Sequence, residues 1–478
     1  MTPEEFRRLG HRLIDWVADY RAGLAARPVM SRAQPGEIKA LLPLTAPEQP
    51  EPMDAVLADL DRVVLPGITH WNHPSFFAYF PSNAGLASVL ADLVTAGLGS
   101  QAMSWQTSPA ATELEEVVME WLRQAVALPG TFTGVIQDTA STATLVALLC
   151  ARERSTAHGQ SRRGLQGEPA PLVVYASEEG HSSIEKATLL SGFGRVNLRL
   201  IGTDAEHALR VDLLEQAVEQ DLAAGRKPCA VVAAVGTTGT TAMDPVEGIA
   251  RVAAKHSLWL HVDAAMAGSA MILPECRWMW RGVEAADSVV FNPHKWLGVA
   301  FDCTAYYVRD EQHLVRVMST NPSYLQTAAD GRVRNLRDHG LQLGRRFRAL
   351  KLWFLFREQG LEGLRARLRR DLANAQWLKE QVDRTPGWER MAPVHLQTVC
   401  VRHVPSPDLD ESALRRHNLA LADRVNRSGR AYLTPSVVKG RQMIRLSIGA
   451  EATTRAEVEA LWALLQAESS TPPAASGG

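Results

Sequence analysis

The sequence predicts an α/β fold, a mostly parallel sheet flanked by helices, with an N-terminal helical arm and a C-terminal small α+β domain. Two observations carry the prediction. Between about Asn83 and His313, short runs rich in Val, Ala and Ile alternate with helix-length stretches, at 134–136, 172–175, 198–201, 230–235, 259–262, 288–290 and 303–308. After about Leu361 the pattern changes to one long helix, strands at 388–391 and 398–402, another helix, strands at 431–433 and 443–448, and a last helix from about Thr454. Four segments follow: an arm over 1–82, a large domain over 83–360, a small domain over 361–468, and a small, polar, Pro/Gly-rich tail over 469–478, expected to be disordered.

The arm opens with Thr2-Pro3-Glu4-Glu5, a helix start in which Thr caps, Pro occupies the first turn and Glu reaches back three residues. Phe6, Leu9, Leu13, Trp16, Val17 and Tyr20 then follow at helical spacing. Prolines at 28, 35, 43, 47, 50 and 52 break the next stretch before a second stripe at Met53, Val56, Leu57, Leu60, Val63 and Val64. Two amphipathic helices on such an arm cannot bury their faces on each other alone, so they are expected to wrap the main domain or a second subunit. Residues 157–171, rich in Gly, Arg and Gln, read as a surface loop, and no internal repeat is visible.

The chain has 478 residues, 46% apolar and 22% charged, which excludes disordered and fibrous classes. Its 51 Lys and Arg against 52 Asp and Glu favour neither nucleic acid nor an anionic membrane, so a small-molecule partner is expected. The arginines at 365–370 read as a solvated helix face, since Leu364 and Leu368 keep an apolar spacing within them. Five cysteines lie far apart without a C-x-x-C pair, which argues against a metal site or a disulfide frame and suits a reducing compartment. No run reaches the roughly 18 apolar residues of a membrane span. A cytoplasmic location is expected.

Chemistry concentrates at the ends of the strands, where ligands of such sheets sit. The run 258–263 ends in Asp263, and the run 288–290 leads into Asn292-Pro293-His294-Lys295. A lysine leaving one apolar strand can form a Schiff base with an aldehyde, and a carboxylate ending the neighbouring strand can bond a pyridinium nitrogen; together they suit pyridoxal 5'-phosphate (PLP). Its phosphate needs a strand that turns into a helix through small residues, and 133–144, with Thr139, Ala140 and Ser141 at the turn, has that form. Thr237, in a Gly/Thr turn, and His181 follow two other strands on the same edge.

With these segments the chain resembles the aromatic L-amino-acid decarboxylases, PLP-dependent group II decarboxylases, and is similar in particular to the bacterial DOPA decarboxylases among them. The resemblance runs from the arm to about Ala467, through Trp71-Asn72-His73-Pro74-Ser75-Phe76-Phe77-Ala78-Tyr79-Phe80-Pro81, the Asp263 and Lys295 segments, and Leu343-Gly344-Arg345-Arg346-Phe347-Arg348. It implies the aspartate aminotransferase-like fold (fold type I) and a homodimer with the active site at the interface. It further implies that Lys295 is the Schiff-base lysine, Asp263 the pyridinium partner, His181 the ring-stacking residue, and Thr237 and Ala265 cofactor contacts. Thr139, Ala140, Ser141, Asn292 and His294 would surround the phosphate. Trp71, Tyr79, Phe80, Pro81 and Ser82, with Gln101, Met103, His181 and Gly344, would serve the substrate. Tyr324, in a polar segment reaching to about Asp338, would be the proton donor on a mobile catalytic loop.

The implied reaction is decarboxylation of an aromatic L-amino acid, L-DOPA first, with tryptophan, 5-hydroxytryptophan, tyrosine and phenylalanine behind it. Substrate preference stays open, because Ser82 replaces a threonine common among relatives, while Met266 and the Gln101-Ala102-Met103 segment depart from the animal enzymes; Gly344 goes, in plant relatives, with room for an indole. An aromatic aldehyde synthase is the second reading. In that branch the loop tyrosine is commonly phenylalanine, or the stacking histidine asparagine, and Tyr324 and His181 oppose it.

Overall fold

The computed structural model describes residues 1–470; the remainder of the expected tail, 471–478, lies outside the described residues. The chain forms two compact units. The larger comprises 82–380 and 390–400, the smaller 1–81, 381–389 and 401 onward. The long helix expected after about Leu361 follows a break: helical residues Ala349–Arg384 are interrupted at Gly360, whose φ of 62° lies outside the helical region. The helix beyond it stays with the larger unit as far as Glu380.

The larger unit is built on seven strands, β1 Thr133–Gln137, β2 Leu172–Ser177, β3 Leu198–Ile201, β4 Lys227–Ala234, β5 Trp259–Asp263, β6 Ser288–Phe291 and β7 Thr304–Val308. Their order is β1-β7-β6-β5-β4-β2-β3, and only β7 runs against its neighbours. β2, β4, β5 and β6 are buried along almost their whole length, which is why they read as continuous apolar runs and not as alternation. Helix Ala140–Ser155 lies in the core through Ala143, Val146, Ala147, Leu148, Cys150 and Ala151. Gly134 in β1 has a packing reason, since a Cβ there would stand 2.6 Å from the Tyr307 ring and 2.7 Å from Met119. All five cysteines are free and buried.

In the smaller unit the first helix, Pro3–Ala22, has the expected capping box between Thr2 and Glu5. Of its apolar stripe only Leu9 is buried; Phe6 is 60% exposed, and Leu13 and Ile14 are exposed too. The second stripe is α-helical only over Met53–Asp59, then widens to a π turn over Leu60–Val64 and ends in the 3-10 turn Leu65–Gly67, where Pro66 cannot continue a helix. Trp16 Nε1 donates to Asp61 at 3.1 Å and Arg12 pairs with Asp54, so the two arm helices meet through polar groups. Besides the seven-stranded sheet the chain forms a four-stranded one of order β10-β11-β9-β8, with β8 Trp388–Arg390, β9 Thr398–His403, β10 Thr434–Val438 and β11 Arg441–Ser447. The strand expected at 431–433 is thus corrected to begin at Thr434. Pro435 is tolerated within β10 because β10 is an edge strand, where a missing ladder N–H costs little. Among the described residues no helix is long and apolar enough to cross a membrane.

Candidate active site

Asp263 ends β5 in register with Ala234 on β4 and Val290 on β6. It is 7% exposed, and its Oδ1 accepts the Ala265 amide at 3.0 Å. Its Oδ2 makes no hydrogen bond among the described residues. A half-satisfied buried carboxylate is costly unless a cationic or N–H group completes it. Asn292 N–H donates to Ala265 O at 2.8 Å, tying the turn after β5 to the end of β6. Lys295 follows in a single π turn, Pro293–Leu297, held by its own amide on Asn292 O (2.9 Å) and by Asn83 Nδ2 on its carbonyl (3.2 Å). Trp296 beside it bonds Asp371 at 2.9 Å, and Arg367 caps the Trp296 and Leu297 carbonyls at 2.9 and 2.7 Å. The lysine therefore leaves a rigid base.

His181 caps helix Ser182–Leu190 through Nδ1, which accepts the Ser183 amide at 3.1 Å. A backbone amide only donates, so the neutral ring carries its proton on Nε2. Burial lowers its pKa; Asp263 pulls it up and Lys295 pushes it down, which places the imidazole within the field of both groups.

The phosphate cradle is assembled from three strand ends. Thr139 caps the helix that begins at Ala140, its Oγ1 accepting the Thr142 amide at 3.4 Å. The Ala140 and Ser141 amides, as first-turn groups, have no intrahelical acceptor. Thr304 Oγ1, at the start of β7, bridges Asp138 O (3.0 Å) and Asn292 Oδ1 (2.9 Å) and so joins the two segments. His294 Nδ1 accepts the Cys303 amide at 3.0 Å, and burial drives its pKa down to about 4, leaving a neutral ring with an Nε2 donor. Asp138, a negative charge beside this cradle, is occupied: Thr139 N–H (2.6 Å) and Gln342 Nε2 (2.8 Å) bond its two oxygens. Burial alone would raise its pKa, but these bonds and the Thr142 hydroxyl hold it low. Backbone amides, an amide side chain and a neutral imidazole suit a phosphate, and the uncommitted oxygen of Asp263 suits a pyridinium N–H. The residues fit PLP.

Other expected residues fall as follows. Thr237 is buried and its hydroxyl is used inside its own turn, accepting the Ala242 amide at 3.0 Å and meeting Thr240 at 3.1 Å. Gln101 stands 3.6 Å from where a Cβ on Gly344 would be, and Ala102 N–H donates to Arg345 O, so the two stretches expected at the substrate are neighbours. Met103 O accepts the Arg337 amide at 2.8 Å, and Ser82 is half-buried. In the smaller unit, Trp71 stacks on Tyr79 at 5.4 Å, Tyr79 reaches the Tyr432 hydroxyl at 3.4 Å, Phe80 lies 4.2 Å beneath the Arg445 guanidinium, and Pro81 is buried. Tyr324 sits on the 3-10 turn Ser323–Leu325 and is 79% exposed.

The profile of the pyridoxal-dependent decarboxylase conserved domain matches residues 35–404. The chain belongs to the pyridoxal-dependent decarboxylases. PLP is accordingly the cofactor of this group II decarboxylase. The chain is 40% identical to an aromatic-L-amino-acid decarboxylase of Bos taurus, over 100% of this chain and 98% of the relative. It is also 40% identical to a phenylacetaldehyde synthase of Arabidopsis thaliana, over 98% and 97%. A crystal structure of Oryza sativa TDC with PLP and tryptamine superposes with a TM-score of 0.94 at 37% identity, covering 98% of both chains.

Sequence reasoning missed Thr304, Gln342 and Asn83. Thr304 acts only because β7 inserts beside β6, and no local pattern announces that pairing. It also missed that Arg345, within the quoted Leu343–Arg348 string, is a buried partner of Glu115 (2.8 Å) that also caps Ile136 O (2.6 Å).

Proposed function

We propose that this decarboxylase acts on aromatic L-amino acids, L-DOPA first, releasing carbon dioxide and the arylalkylamine. The observation that carries the reading is Asp263, whose free oxygen favours a protonated ring nitrogen opposite it. When bound, PLP supplies the electron-poor ring that takes up the electron pair left by carbon dioxide. Lys295 is the amine that holds the cofactor, and its braced turn fixes where its Nζ emerges. His181, held by Ser183 in one tautomer, offers a neutral ring face for orienting the reacting plane and an Nε2–H toward substrate. Tyr324 is the acid that returns a proton to Cα, and since it is exposed in this structure it acts once its loop has moved to cover the site.

The aldehyde synthase reading draws support from the Arabidopsis thaliana relative, a phenylacetaldehyde synthase as similar in sequence as the Bos taurus decarboxylase. Tyr324 and His181 favour the amine-forming reading. The working form is a homodimer with the active site at its interface, argued from the exposed apolar stripe of the first helix, and the cytoplasm is its compartment, argued from five unpaired thiols. The decisive experiment incubates the holoenzyme with L-DOPA, tryptophan, 5-hydroxytryptophan, tyrosine and phenylalanine under air. Mass spectrometry should find amines, with L-DOPA turned over fastest; aldehyde with stoichiometric peroxide as the main product would establish the second reading instead.

A further inference from the structure

The sheet has a second cleft, on the edge opposite Asp263 and Lys295. It has a volume of about 730 Å³ and lies where β4, β5 and β6 begin and β7 ends. Leu258 and Leu260 line it, so one strand of five residues separates it from Asp263. Arg154, Lys227 and Arg309 face Asp287 as the permanent charges of its lining, three cations against one carboxylate.

That carboxylate is fully committed. Arg154 bonds both its oxygens (2.6 and 3.2 Å), Arg309 bonds Oδ1 (3.0 Å), and the Leu260 amide bonds Oδ2 (2.9 Å). Lys227 has no ion-pair partner among the described residues. Outside the lining, Glu215 and Glu219 are taken by Lys255 at 2.7 and 3.1 Å. Helices Ala140–Ser155 and Val246–His256 end at this cleft, and their C-terminal carbonyls account for cations such as Arg154. They do not account for Lys227 and Arg309, which come from strand ends. His256 lines the cleft as well, with its Nε2 buried and without a hydrogen-bond partner among the described residues. Between these polar groups the walls are apolar and mostly short: Ala250, Ala253, Ala254, Ala285, Pro228 and Leu222.

We infer that this cleft is a binding site for a small aromatic carboxylate that lacks an ammonium group. The excess of cations selects the carboxylate and rejects an amine, the volume is that of a small-molecule site, and the alanine walls leave flat apolar surface for a ring.

The test is calorimetric titration of the holoenzyme with 3-phenylpropionate, alongside the variants Lys227→Ala/Arg309→Gln and Ala254→Trp. Arg154 keeps Asp287 paired in the first variant, and the second fills the cleft from an exposed position. Saturable binding is expected in the wild type, weakened at least about tenfold in both variants, while kcat and KM for amino-acid substrate without the acid stay unchanged. Binding of equal strength in the wild type and both variants would put the acid elsewhere and overturn the assignment. Absence of binding would do so too, and inorganic phosphate binding as tightly as 3-phenylpropionate would overturn the aromatic class.

Discussion

Tyr324 is the residue whose proposed role depends most on what surrounds it, since a phenol 79% exposed to water cannot deliver its proton selectively to one carbon. If it acts from a covered position, Tyr324→Phe should still release carbon dioxide but slow reprotonation by about 10² to 10⁴, the usual worth of a general acid. The electron-rich carbon then meets dioxygen, and aldehyde, ammonia and peroxide replace the amine. Measuring carbon dioxide, amine and peroxide together checks this; amine formed at an undiminished rate without peroxide would remove Tyr324 from the mechanism. For Lys295, borohydride reduction of the holoenzyme should abolish visible absorbance and leave the label on that residue in peptide maps, and a label on any other lysine would refute the assignment. Lys295 and Asp263 were legible because each stands at a strand end, where chain order alone fixes the edge of the sheet. Thr304 and Asn83 were not, because Thr304 works through Asp138 and Asn83 through Lys295, partners far away in sequence.

At the scale of elements, the parallel strands were legible because burial on both faces leaves uninterrupted apolar runs. The strand expected at 431–433 instead begins at Thr434 and takes in Pro435, which an edge strand tolerates. What the elements leave uncovered is equally specific. Helix Leu86–Leu98 exposes Leu86, Leu90, Leu93, Val94 and Leu98, an apolar face beyond what a scattered surface would show. We propose that this face, within the larger unit, packs on the second subunit. Leu90→Lys/Leu93→Lys should therefore sediment as a monomer and lose activity, and deletion through Val64 should give insoluble or inactive protein. A fully active monomer from either variant would contradict the dimer.

For the whole molecule, buried titrating groups set how stability responds to acid. Burial drives His261 and His294 to about 4, so both bind a proton on unfolding between pH 6.5 and 4. Their folded pKa lies below the unfolded one, so their contribution is complete above pH 6.5 and is lost as pH falls toward 4, roughly 3 kcal/mol each. Asp244 works in the opposite sense: burial raises it to about 7 although it accepts the Ala234 and Leu209 amides, so its proton is released on unfolding and its contribution grows on acidification. His403, which burial also lowers to about 4, acts in the same sense as these two histidines, and together they outweigh Asp244 and leave a net loss of stability below pH 6.5. Urea midpoints should fall from pH 6.5 to 5, and His261→Leu, although less stable at pH 7, should flatten that fall by about one proton. An unchanged slope would mean that His261 does not titrate as its burial demands.

The place of β7 between β1 and β6 has a consequence for biosynthesis. Among the described residues β1 hydrogen-bonds to no strand but β7, whose residues are made roughly 170 positions later. At ribosomal speeds of about 5–20 residues per second, the Val135–Ile136 edge waits on the order of 10–30 s for its partner while apolar chain accumulates around it. Nascent chains halted before Thr304 should therefore be cut by protease near β1 and recruit holding chaperones, and both signals should vanish once Val308 has cleared the exit tunnel.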